Sequence, residues 1–145
     1  MSPFDNISAS EILPQRKPFV FVDRLVHYDE RETVTAFTVP AEHLLVADGY
    51  LTAPGILANM AQSSAARIGY LCKFILHVPV RVGYIGAIRK FRVYRLPAVG
   101  ETLTTTILFR EDVFGISLVD AVVRVGEDLI AEASLKTTLG EKEAE

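Results

Sequence analysis

The run from Pro54 to His77 constrains this chain more than any other stretch. Thr52–Ala53–Pro54 reads as a helix start, because proline supplies a helical φ and its missing N–H costs nothing in the first turn. Val78–Pro79 reads as the stop, since the residue before a proline is pushed out of the helical region. Such a helix is about 35 Å long. Large apolar residues (Ile56, Leu57, Met60, Ile68, Leu71, Ile75) cover much of it, and small ones (Ala58, Ala61, Ser64, Ala65, Gly69) line one side. A helix apolar round most of its circumference must be enclosed by other structure. Asn59, Gln62, Ser63, Ser64, Arg67 and Lys73 interrupt the best apolar window, Ile56 to Ile75, and make it too polar to cross a bilayer.

What encloses the helix reads as sheet. Pro18 to Tyr28 is extended, Asp29–Glu32 is a turn, and Thr33 to Val39 has strand composition; Ala41 to Ala53 is irregular. After the helix come Val80 to Ile88, Phe91 to Arg95, Glu101 to Arg110, Ile116 to Val125 and Leu129 to Leu139, with turns at Pro97–Gly100, Phe114–Gly115 and Gly126–Asp128. In the last segment Leu129, Ala131, Ala133 and Leu135 alternate with Glu132, Ser134 and Lys136. One dry face and one wet face suit an antiparallel sheet. The class is α+β, with the sheet wrapped around the helix.

At 145 residues the sequence predicts one domain, 1–145, with a lead-in over 1–11 and a charged tail over 140–145. Met1 to Glu11 has neither a basic start nor an apolar run, so no signal peptide is expected. Cys72 is the single cysteine, which excludes an internal disulfide and suits a reducing, cytoplasmic setting. A net charge of −3 argues against a nucleic-acid binder.

The charge is unevenly distributed. Between Gly49 and Gly100 there is no Asp or Glu, yet Arg67, Lys73, Arg81, Arg89, Lys90, Arg92 and Arg95 all lie there. This predicts a positive surface suited to an acidic partner or a phosphate. Arg89, Lys90, Arg92 and Arg95, on adjacent strand-like segments, are its candidate residues, against the plainer reading of a sheet edge kept basic to prevent aggregation. No metal-ligand set, phosphate-cradling glycine loop or Ser-His-Asp arrangement is evident, so no metal or cofactor is expected.

Ile12–Leu13–Pro14–Gln15–Arg16–Lys17–Pro18–Phe19 running into Val22–Asp23–Arg24, then Pro54–Gly55–Ile56–Leu57 and Met60–Ala61–Gln62, then Gly86, Phe91, Arg95 and Pro97 to Glu101 stand in one order. Together they resemble the β-hydroxyacyl-acyl-carrier-protein dehydratases over about Ile12 to Leu139. The resemblance implies a hot-dog fold, an antiparallel sheet curled around one long central helix. It also implies acyl-chain biosynthesis on an acyl carrier protein or coenzyme A, and acyl tunnels at the boundary of a homodimer or larger assembly.

The resemblance further implies a hydro-lyase, in which a base takes the α-proton and an acid protonates the departing hydroxide. Relatives use a loop histidine and a helix carboxylate. Here Val46 falls at the histidine position, and Ala58 or, in a second register, Met60 at the acidic one. Gly55 falls where the helix-start N–H binds the thioester oxygen. Ile56, Ala58, Asn59 and Gln62 complete the implied substrate-binding set, Gln62 matching the residue that orients the acid in relatives.

Three readings stay open: a dehydratase using Asp48, with His43 as a replacement base; a non-catalytic subunit that binds acyl chains or pairs with a catalytic homologue; and a thioesterase with Asp48 as base. Against these stand an ordinary turn role for Asp48, a half-buried His43 and a helix-packing Asn59. His27 and His77, at element ends, and Cys72, with no histidine paired to it, read as structural.

Overall fold

The computed structural model describes residues 7–13, 15, 18–79 and 81–143, and only the backbone of 81–84 and 139–143. Pro14, Arg16 and Lys17 of the opening motif, Val80, and the end of the charged tail lie outside the described residues, as does the Arg81 side chain.

The elements are α1 (Ala9–Ile12), β1 (Arg24–Tyr28), β2 (Glu32–Thr38), β3 (Val46–Ala47), β4 (Tyr50–Leu51), α2 (Ala53–Tyr70) extended by a π-type turn (Leu71–Ile75), β5 (Arg81–Val93), β6 (Thr102–Val113), β7 (Ile116–Val125) and β8 (Asp128–Glu143). Six strands form one antiparallel sheet in the order β1-β2-β6-β7-β8-β5. The sheet wraps α2, which touches β1, β2, β5, β6 and β7. This is the α+β architecture that the helix pattern demanded, and the hot-dog fold that the resemblance implied.

Four differences from the sequence reading have physical causes. The stretches at 80–88 and 91–95 are one strand, because Lys90 takes up an extra residue in a left-handed conformation (φ +54°) and the ladder with β8 resumes at Arg92. The irregular stretch 41–53 contains the β3–β4 hairpin. Part of the lead-in is helix α1, its start fixed by the Ser8 N–H donating to Glu11 Oε2 at 2.9 Å. The tail is shorter than expected, since β8 continues to Glu143.

Ile56, Met60, Leu103, Ile107, Val119, Ala121, Val123 and Ala131 meet in the main core. The alternation of β8 holds from Ala131 to Thr137 and slips at Ile130, a fully buried bulge residue. Through this apolar centre runs a polar seam. Ser63 and Thr35 share a hydrogen bond of 2.7 Å, and Thr105 Oγ1 donates to Asn59 Oδ1 at 2.5 Å. All four residues are fully buried. At the far end Gly69 lets α1 approach: a Cβ there would lie 1.8 Å from the Ile12 carbonyl oxygen.

Candidate active site

Val46–Ala47 and Tyr50–Leu51 pair as a hairpin whose two central residues, Asp48 (φ +54°) and Gly49 (φ +84°), form a type I′ turn. Asp-Gly is the sequence such a turn selects. The hairpin is tied to the loop after β5 by Leu51 N–H to Pro97 O and Val99 N–H to Gly49 O, each 2.9 Å. Asp48 is thereby held exposed at the tip, where it serves as the turn residue.

The hairpin sets the start of α2. Leu51 and Leu45 press on Gly55, where an added Cβ would lie 2.4 Å from Leu51 Cδ1. Thr52 stands at the N-cap position, yet its hydroxyl donates to Leu45 O at 2.8 Å and does not cap the helix. The Gly55 N–H, within the first turn, therefore receives no side-chain cap. Glycine at 55 brings backbone close to whatever occupies this corner, and the helix dipole favours negative charge there.

The two positions that would hold the proton-transfer pair are apolar. Val46 and Ala58 are both half-buried and pack against the main core. Met60, the alternative acidic position, is fully enclosed, so only the Ala58 register faces an accessible surface. Ile56 is a core residue with no exposed surface.

Asn59 and Gln62 also turn inward. Asn59 Nδ2 donates to Phe21 O at 2.7 Å while its Oδ1 accepts from Thr105. Gln62 Oε1 accepts from Phe21 N–H at 2.7 Å and its Nε2 donates to Phe19 O at 2.6 Å. Both amides are spent on the segment that leads into β1, which is the packing alternative for Asn59. The sequence held a signal for this pairing, the threonines Thr102, Thr104, Thr105 and Thr106 of β6, but the partner of each becomes visible only once the strands are in register.

His43 is anchored rather than free to swing. Its Nδ1 accepts from Leu45 N–H at 3.4 Å, so Nε2 carries the proton and donates to Val20 O at 3.1 Å. The ring lies edge-on to Phe21, with centroids 4.5 Å apart, and also contacts Phe37.

The basic residues do not form one patch. Arg95 makes a bidentate pair with Glu101 (3.0 and 3.3 Å) and reaches Asp128 at 3.6 Å. Glu101 is held below the usual carboxylate range by Arg95 and then by the Ala98 N–H. Arg92 stands opposite Glu132, whose Oε2 also accepts from the Tyr94 hydroxyl. Arg67 is half-buried over the Phe109 ring, 4.4 Å from its centroid, and burial pulls its pKa down. Lys73 reaches Glu11 at 3.9 Å. Arg89 and Lys90 are exposed with no ion pair among the described residues. The acid-free window thus collects its acids from neighbouring strands, and the broad positive face expected from the sequence is reduced to parts.

A groove of about 620 Å³ lies beside the hairpin, lined by Tyr50, Arg95, Leu96, Ala98 and Glu101. A cleft of about 70 Å³ follows α2 past Ala61, Ala65 and Ile68 toward Ile85 and Thr137. Among the described residues the one cluster with metal-ligand geometry is His27, Asp29 and Glu32 at the β1–β2 turn, where His27 Nε2 donates to Asp29 Oδ2 at 2.7 Å. No helix of the described residues is long and apolar enough to cross a membrane.

These features match known proteins over nearly the whole chain. The 3-hydroxyacyl-[acyl-carrier-protein] dehydratase FabZ of Desulforamulus reducens is 31% identical over 141 residues, covering 91% of this chain and 94% of the relative. FabZ of Aliivibrio fischeri is 28% identical over 131 residues, covering 87% of each. In structure, the dehydratase heterocomplex ApeI:P from Xenorhabdus doucetiae aligns with a TM-score of 0.85 at 15% identity, over 94% of this chain and 93% of that one. The protein smu.793 of Streptococcus mutans, solved with acetyl CoA, aligns at 0.64 with 14% identity, over 82% and 89%. The family model for ApeP dehydratases, ApeP-like, matches residues 7–145, and the chain belongs to that family of hot-dog dehydratases.

Proposed function

We propose that this chain is the acyl-thioester-binding subunit of a dehydratase acting in acyl-chain biosynthesis, and that a homologous partner subunit supplies the proton-transfer groups. The observation that carries the reading is a helix start at Gly55 without a side-chain cap, combined with apolar Val46 and Ala58 at the two positions where the proton-transfer pair would stand. The thioester carbonyl would accept from that N–H, which withdraws charge as the α-proton leaves. Dehydration of a 3-hydroxyacyl thioester then needs a base for that proton and an acid for the departing hydroxide, giving the 2-enoyl thioester and water. Neither valine nor alanine can do either.

The likeness to a dehydratase heterocomplex supports a two-subunit arrangement. So does β5, which ends the sheet with a long edge unpaired among the described residues; such edges invite a second chain. Lys90 and Arg92, exposed on that strand towards its hairpin-facing end, suit the acidic surface and phosphate of a carrier protein.

The test is turnover of 3-hydroxyacyl carrier thioester. The chain alone should yield neither enoyl product nor free acid, and should bind the thioester; adding a FabZ-type homologue that co-purifies with it should give enoyl product. Enoyl or free acid from the chain alone would overturn the reading and return the role of base to Asp48.

A further inference from the structure

The β6–β7 hairpin ends in an unusual turn. Phe114 and Gly115 have φ of +52° and +81°, and Phe114 is 101% exposed. An aromatic residue in the left-handed region is disfavoured relative to glycine, and this one gains no packing among the described residues. Val113 and Ile116 beside it are each 43% exposed, so the tip is a small apolar knob. Glu111 and Asp112 flank it, both exposed, and Asp112 Oδ1 accepts the Gly115 N–H at 3.1 Å.

The complement of this knob is on the same hairpin. A slot of about 240 Å³, ample for a benzyl ring, opens where β5, β8, β7 and β6 run side by side. Leu118 is its accessible apolar residue, Val119 and Leu135 lie beneath it in the main core, and Arg89, Lys136 and Arg110 are its basic rim. Asp120 in the rim is already taken, accepting from Arg110 at 2.6 Å and from Ser134 at 2.9 Å. Arg89 and Lys136 have no ion pair among the described residues.

We infer that the Phe114 knob of one copy of this chain seats in the Arg89–Lys136 slot of a second copy, with Glu111 and Asp112 against the basic rim. Leu118 lies only two residues beyond Ile116, so knob and slot are close neighbours on one hairpin. A two-fold axis between crossed hairpins satisfies both contacts at once, and the arrangement closes. It leaves the open edge of β5 untouched and joins units built through that edge into assemblies of twice the size. The acidic flanks disfavour the alternative occupant, an anionic membrane surface.

Sedimentation equilibrium of the full chain tests this. Phe114→Gly should lower the assembly mass about twofold, and its melting temperature should rise as the backbone strain is relieved, which separates lost association from lost folding. Glu111→Lys and the Arg89→Glu/Lys136→Glu pair should each do the same alone. Combining Glu111→Lys with Arg89→Glu/Lys136→Glu in one chain reverses knob and slot together and should restore the wild-type mass. Unchanged mass in Phe114→Gly overturns the inference, as does failure of the combined reversal to restore it. Phe114-dependent co-sedimentation with phosphatidylcholine/phosphatidylglycerol vesicles, at unchanged mass, would overturn it in favour of a membrane.

Discussion

The Thr105 hydroxyl donates to the Asn59 amide oxygen across 2.5 Å at the dry centre of the molecule, joining helix to sheet where both side chains are fully buried. Asn59→Ala strands this hydroxyl and the Phe21 carbonyl, which the amide also serves. Each buried group left unpaired costs about 1–3 kcal/mol, so urea denaturation should show a loss of at least about 2 kcal/mol. Asn59→Asp should be no better, because its carboxylate would face the Phe21 oxygen, and it should not create a catalytic acid.

Gly69 and Gly86 give opposite expectations for the same substitution. A methyl at 69 would lie 1.8 Å from the Ile12 backbone oxygen, whereas at 86 the nearest atom is 3.8 Å away. Gly69→Ala should therefore cost about 3 kcal/mol and loosen α1, seen as faster amide exchange over residues 9–13. Gly86→Ala should stay within about 0.5 kcal/mol of wild type.

Asp48 separates turn chemistry from catalysis. At φ +54° asparagine replaces aspartate without strain, while a β-branched residue is forced into a disfavoured conformation. Asp48→Asn should keep both stability and thioester binding, and Asp48→Val should lose about 1–2 kcal/mol. If Asp48→Asn abolished a turnover shown by the wild-type chain, the carboxylate would have a chemical role.

The Asp29 carboxyl titrates at about 2 instead of 3.8, held down first by the His27 hydrogen bond and then by the N–H groups of Glu32 and Arg31. Its folded-state pKa lies below the unfolded one. The stability it adds is therefore complete above pH 3.8 and disappears as pH falls toward 2. Melting curves of wild type and Asp29→Asn should stay a constant interval apart above that range and converge below it. A constant gap down to pH 2 would contradict the assignment.

The helix and its enclosure were legible in the sequence because they rest on patterns with a fixed period. Apolar residues around most of 54–77 require a surrounding sheet, and Ala131, Ala133 and Leu135 mark its dry face. Ile130 breaks that alternation because a bulge adds a residue, and nothing in a period of two announces where a ladder slips. The Asp48–Gly49 turn was legible as local chemistry, whereas the partners of Asn59, Gln62 and His43 were not. Phe21 and Val20 lie about twenty or more positions away, and contact across that separation is a product of topology. The charge pattern misled for the same reason: Arg95 meets Asp128 only after β8 has folded back.

A greasy rod in a greasy sleeve is free to roll, since dispersion forces hardly distinguish one rotation from another. Here the amide of residue 59 and the hydroxyl of residue 63 act as keys in a keyway, engaging β6 and β2 one helical turn apart. Their directional bonds leave one rotational setting in which both side chains keep their partners. The apolar lining can therefore drift through evolution without turning the rod, and its tip keeps pointing the same way while the surrounding sequence changes.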